Sequence, residues 1–243
     1  MIPVPAFLAN PQRFMVFSKW AAPMFGAIAV ALIAAGLWLT FTVPEDYQQH
    51  DTVRIMFIHV PAAWLAMFAY LCLGIASLLS LVFRHALADM AAKAAAPLGA
   101  GFTVLALATG SLWGKPMWGT WWVWDARLTS VLVLLLLYLG YLALRASIDD
   151  ETKAGRAAAI LALAGVINLP IIHYSVEWWN SLHQGASTFG AAPGDRLPAV
   201  YLTPLAIMGL GYTSAFGSLW LVGIRAEVWR RRARTLSLQQ AGG

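Results

Sequence analysis

The sequence predicts an all-α integral membrane protein: one domain over residues 1–243, built of six transmembrane helices. Three observations carry this. The chain is 60% hydrophobic and only 11% charged, against roughly 25% charged in ordinary soluble domains. Six apolar runs approach the roughly 20 residues that a helix needs to cross a hydrocarbon core about 30 Å thick. Lys and Arg are distributed unevenly between the connections.

The predicted spans are 20–43, 57–83, 96–113, 128–145, 157–176 and 200–224. The first follows Arg13 and Lys19 as a signal peptide would, but its apolar run exceeds a signal peptide's 7–15 residue core and further spans follow, so it reads as a retained helix. With the N-terminus inside, the inner connections hold twelve Lys and Arg residues. The outer ones hold four: Arg54, Lys115, Arg127 and Arg196. Both termini are therefore expected in the cytoplasm, with 44–56, 113–127 and 177–199 outside. Asp149-Asp150-Glu151 reads as a solvated inner turn, and the basic tail after Arg225 as a topology anchor against anionic membrane lipid.

The excess of basic over acidic residues does not indicate nucleic acid, because the charges are scattered between apolar runs and gathered at the C-terminus. Cys72 is the only cysteine, which excludes an internal disulfide, a dithiol pair and a Cys-x-x-Cys-His haem attachment site. Gly114-Lys115 is followed by Pro116 and has no matching upstream glycine, so there is no phosphate-binding loop. Any ATP-driven step must come from another chain.

The least random stretch reads WGKPMWGTWWVWD, with Trp113, Trp118, Trp121, Trp122 and Trp124 ahead of Asp125. If helical, Trp118, Trp121 and Trp122 share a face, while Gly114, Pro116 and Gly119 bend the first part. On residue types alone three readings stand: a shelf that stacks a planar cofactor, an aromatic belt at the headgroup level, and a site for a quaternary ammonium or lipid. Asp125 has the position of an N-cap for the fourth span. Lys115 and Arg127 are suited either to pairing with ligand carboxylates or to interfacial snorkelling.

Topology sorts the five histidines. His50 and His85 fall in polar or interfacial surroundings. His59 sits at the outer edge of the second span, where ionisable residues tend to be functional. His183 follows a second aromatic-rich stretch, Glu177-Trp178-Trp179, on the same side. Two imidazoles from different helix ends suit the two axial positions of a haem iron. His173, deeper in the fifth span, is held in reserve.

WGKPMWGTWWVWDARLTS, together with IHVPAAW and HYSVEWWNSLHQG, resembles the CcmC family, the haem-handling component of cytochrome c maturation, across all six spans. The resemblance implies a WWD-type segment on the periplasmic side of a bacterial inner membrane. It also implies haem b held by His59 and His183 as axial iron ligands, with the aromatic segment, Lys115, Asp125 and Arg127 around it. The partners it implies are a periplasmic haem chaperone of the CcmE type, ABC transporter subunits of the CcmA and CcmB types, and a small single-span helper of the CcmD type. The expected function is presentation of haem to that chaperone during cytochrome c biogenesis. The alternative is a haem-transporting subunit of the ABC-type complex.

Other readings are a haem lyase, whose relatives are larger, and a docking scaffold. A transport pathway needs polar residues through the bundle, and Asn168 and His173 on one helix are almost the only candidates. No external acid and base pair marks a free-standing enzyme, although Glu177 is available for such a role.

Overall fold

In a computed structural model the described residues are 10–179, 181–183 and 197–241. Arg196, expected on the outer side, and most of the third outer stretch lie outside them. Among the described residues seven α-helices make six units long and apolar enough to span a membrane: α1 (Pro11–Thr42), α2 (Met56–Phe83), α3 (Ala86–Trp118), α4 (Ala126–Ser147), α5 (Glu151–Gly165), α6 (Asn168–Trp178) and α7 (Ala199–Ala241). It is a multi-pass membrane protein, and no strand occurs among the described residues.

Four of the helices start where the sequence supplies a side-chain acceptor for otherwise unpaired amide groups. Asn10 caps α1, with Pro11 at its first position. His85 caps α3 through Nδ1, Asp125 caps α4 and Asp150 caps α5.

The helices exceed the predicted spans because hydropathy marks what lies in lipid, not where the helix stops. α3 begins ten residues before position 96 and ends five after 113. α7 has 43 residues, about 64 Å at 1.5 Å per residue, roughly twice the hydrocarbon thickness. The fifth span, expected as one helix, is broken at Val166 and Ile167 into α5 and α6. There Asn168 is buried and its amide donates to the Ser130 carbonyl of α4 at 2.9 Å.

α2 and α3 form the centre. They pack on each other, α7 lies against both, α1 pairs with α7, and α4 joins α3 to the α5–α6 pair. Small residues permit these contacts, as is usual where lipid offers no hydrophobic incentive for helices to associate. Ala66, Ala92, Ala95, Ala96, Ala158 and Ala162 are all buried in the main core around Tyr70, Tyr138 and Tyr141. The hydroxyl of Tyr138 donates to the Ala66 carbonyl at 2.8 Å.

The start of α1 and the end of α7 fall at one end of the bundle, where Arg225 donates to the Met15 carbonyl and ion pairs join α3, α4 and α7. Arg145 forks onto Asp89 at 2.7 and 3.2 Å, Arg231 joins the same carboxylate, and Lys93 meets the buried Glu227 at 2.9 Å. The tryptophan-rich segment lies at the opposite end.

Candidate functional site

The tryptophan-bearing end of α3 organises the site. Along its i, i+4 row lie Ala106, Gly110, Gly114 and Trp118, a lane cleared by small residues. His59 from the start of α2 lies over the first half of this lane: a Cβ on Gly110 would stand 2.9 Å from its Cε1. The Trp118 indole folds back over the second half, as side chains leaning toward a helix N-terminus do; a Cβ on Gly114 would stand 2.9 Å from its ring. Any side chain at Gly110 or Gly114 would therefore collide with a ring.

Hydrogen bonding fixes the tautomer of each histidine. Nδ1 of His59 lies 3.0 Å from the Ala106 carbonyl and 3.1 Å from the Thr109 hydroxyl. A carbonyl only accepts, so Nδ1 carries the proton and donates, leaving Nε2 with its lone pair free. His59 also meets the edge of Trp113 at 5.7 Å between ring centroids.

His183 repeats the arrangement with a carboxylate. Its Nδ1 lies 2.9 Å from Asp125 Oδ2, so this ring also donates through Nδ1 and keeps Nε2 free. The Ser181 hydroxyl donates to the same Oδ2, and the His183 amide donates back to Ser181 Oγ at 3.1 Å. The other oxygen, Oδ1, takes the Leu128 amide at 2.7 Å and starts α4. The expected cap at Asp125 is thus present, and the same carboxylate also orients an imidazole. The His183 ring meets the edge of Trp118 at 4.8 Å.

Electrostatics keep this pair in its working charge states. Burial favours a neutral Asp125, but hydrogen bonds from Ser181, the Leu128 amide and His183 outweigh it and hold the carboxyl below its ordinary value. Burial lowers the His183 value, with Asp125 opposing, so the ring is neutral near pH 7. A neutral imidazole whose Nδ1–H is tied to an acceptor is the form in which histidine binds a metal ion.

The tryptophans divide into different roles. The expected shared face of Trp118, Trp121 and Trp122 does not form, because Gly119 takes a left-handed conformation (φ 75°) and ends α3 immediately after Trp118. Trp113 is a packed pillar: its indole N–H donates to Gln49 Oε1 at 3.0 Å, and its ring packs against the cluster that includes Phe57, Tyr201 and Met208. Trp121 and Trp124 project outward, 54% and 75% exposed. Trp122 lies between these extremes, edge-on to Trp124 at 5.4 Å, and its buried Nε1 has no hydrogen-bond partner. A donor left unpaired in this way is expensive unless something accepts from it, which fits a ligand carrying carboxylate or carbonyl oxygens.

The two cations are engaged within the chain. Lys115 donates to the Gly119 carbonyl at 2.9 Å and lies over the Trp121 ring at 5.9 Å. Arg127 donates to Ser175 Oγ at 3.0 Å and to the His173 carbonyl at 3.3 Å, binding the C-terminal half of α6 to α4. His173 itself is exposed and edge-on to Tyr174. Glu177 is exposed as well.

The donor set is two neutral imidazoles, an aromatic surface and an orphaned indole N–H, and it suits a flat, iron-centred macrocycle. Comparison with known proteins identifies a family. The family model described as heme exporter protein C, CcmC, matches residues 5–239. The chain belongs to the CcmC family. A protein named heme exporter protein C from Bradyrhizobium diazoefficiens is 56% identical over 96% of this chain and 89% of its own length. One of the same name from Escherichia coli K12 is 53% identical over 74% of each chain, and one from Rhodobacter capsulatus is 40% identical over 96% of each.

In this member of the CcmC family, Gly110, Thr109, Ser181 and Gln49 help build the site although the sequence alone does not single them out, and Gly114 is read there only as a bend. Of the four, only Gly110 has a sequence signal, its i, i+4 spacing with Gly114 ahead of Trp118. The others are recognised only once segments 47 or more residues apart are brought together, as with His59 and Ala106 or Ser181 and Asp125.

Proposed function

We propose that this chain binds haem b as cargo between His59 and His183 at the periplasmic face of a bacterial inner membrane and presents it to a periplasmic haem chaperone for cytochrome c biogenesis. The observation that carries the proposal is the matched pair of histidines. Each comes from a different element, each donates through Nδ1 to a fixed acceptor, and each keeps Nε2 free beside the α3 tryptophans. The relatives are named as heme exporters, and the chemistry of the donor set is what that name requires.

In this reading His59 and His183 supply the axial ligands. Trp118 and Trp122 flank the macrocycle, and the Trp122 N–H donates to one of its peripheral oxygens. Trp121 and Trp124, exposed on the free side, offer the edge that a chaperone covers. Stacking adds about 1 kcal/mol per ring beyond buried area, so the site retains its cargo without enclosing it, as transfer demands. Lys115 and Arg127 have only to swing from backbone acceptors to carboxylates. ABC transporter subunits and a single-span helper are the partners this reading expects, and twelve inner against four outer cations support a cytoplasmic position for both termini.

The visible spectrum of the purified protein tests this. A low-spin bis-imidazole haem spectrum is expected, converted to high spin or abolished by His59→Ala and by His183→Ala. A spectrum untouched by both substitutions would remove the assignment.

A further inference from the structure

The end of the bundle that carries the termini holds a second built feature. α4 and α7 both lean on α3 but scarcely on each other, leaving a crevice of about 450 Å³ between them. All three walls change character in the same direction. Toward mid-membrane the lining is Leu98 on α3, Leu142 on α4 and Leu219 on α7; toward the end of the bundle it is Lys93, Arg145 and Arg230. Leu219 is 51% exposed and Pro97 and Ala146 are also exposed, so the apolar half opens sideways to lipid.

The polar half has surplus positive charge. Glu227 is buried and paired with Lys93 and Arg230, and Asp89 with Arg145 and Arg231. Four cations therefore share two carboxylates, and Arg230 keeps a side chain that is 68% exposed. Within the crevice lining, Lys93, Arg145 and Arg230 face the single carboxylate of Glu227, and such an excess of positive charge at the mouth of an apolar channel attracts a counter-anion. A basic notch between transmembrane helices that continues into an apolar channel matches a phospholipid with an anionic headgroup.

We propose that this crevice is a specific site for an anionic phospholipid, with its phosphate at Lys93 and Arg230 and an acyl chain along Leu98, Leu142 and Leu219. The site is separate from the haem reading and needs only that these helices span a bilayer. It differs from the diffuse attraction of the basic tail because removing charge elsewhere on the same end should not matter.

The test is native mass spectrometry of the full chain in detergent, titrated with phosphatidylglycerol and with phosphatidylethanolamine. Phosphatidylglycerol should bind more tightly. The double variant Lys93→Gln, Arg230→Gln should weaken that binding about tenfold or more, while Arg13→Gln, Arg232→Gln, which removes equal charge outside the crevice, should leave it unchanged. Ala146→Trp fills the crevice mouth without touching an ion pair and should also weaken binding, which keeps the proposal testable if the double variant fails to fold. Equal binding of the two lipids, equal loss in both double variants, full retention in Ala146→Trp, or displacement by equimolar inorganic phosphate would each overturn it.

Discussion

Asp125 serves two elements with its two oxygens: Oδ1 takes the Leu128 amide and begins α4, and Oδ2 takes the Nδ1–H of His183 at 2.9 Å. Helix start and imidazole orientation are therefore set by one carboxylate. Asn retains a capping oxygen but loses the charge, whereas Ala loses both. Asp125→Ala should cost about 0.5–2 kcal/mol of stability and Asp125→Asn much less. Both should weaken haem retention about 10- to 100-fold, the usual effect of removing a histidine's outer partner. Thermal melts and haem-loss rates of the two variants check the separation.

The same pair predicts a pH response of the haem-free protein. His183 is held below its ordinary value of 6.5 by burial, while Asp125 raises it. A depressed folded-state value means that the fold favours the neutral ring, so stability is complete above pH 6.5 and declines as acid drives protonation below it. Removing the Asp125 charge should move the ring's midpoint lower still. Titration of the His183 ring signals by NMR, in the parent and in Asp125→Asn, reads both directions, and a midpoint above 6.5 would contradict the burial argument.

Gly110 is the narrowest point of the α3 lane. Gly110→Leu should displace the His59 ring, since even a Cβ stands 2.9 Å from Cε1, and abolish the haem spectrum while the helical content stays that of the parent. Gly101→Ala, on the same helix with open space around it, should alter neither. Circular dichroism beside the visible spectrum distinguishes a local from a global effect.

The tryptophans should fall into ranked classes. Trp122→Phe keeps a ring but removes the unpartnered N–H, and should weaken retention about five- to tenfold, the equivalent of one hydrogen bond. Trp118→Ala should do more, because that ring contacts both the lane and His183. Trp20→Ala and Trp229→Ala, exposed on the other half of the bundle, should do nothing. Equal losses in all four would return the segment to an aromatic belt.

Hydropathy and charge made the six spans legible, and a polar residue ahead of an apolar run made the Asp125 cap legible. His59 and His183 stood out because ionisable groups at helix ends beside a tryptophan run are unusual. The segment's conformation is not legible in the same way: the i, i+4 spacing of Trp118 and Trp122 predicts a shared face if the segment is helical, but Gly119 at positive φ ends the helix between them. The break at Val166 and Ile167 does have a mark, Pro170, which has no amide to donate to the Val166 carbonyl four residues earlier and whose ring crowds it; what the sequence could not show is the Asn168 amide reaching the Ser130 carbonyl of another helix. The length of α7 was hidden for a different reason. Its charged C-terminal half continues as a helix beyond the apolar stretch by pairing with α3 and α5 through Arg231–Asp89 and Arg234–Glu151.

That break divides the fifth span mechanically. An unbroken helix transmits a push at one end to the other as a rod does; one interrupted near its middle acts as a joint. α6, which Arg127 fastens to α4 through Ser175, is therefore coupled to α5 less stiffly than one continuous helix would couple them. α3 and α4, by contrast, run unbroken from the tryptophan segment to the Asp89–Arg145 pair, so they are the rods that join the two ends of the bundle.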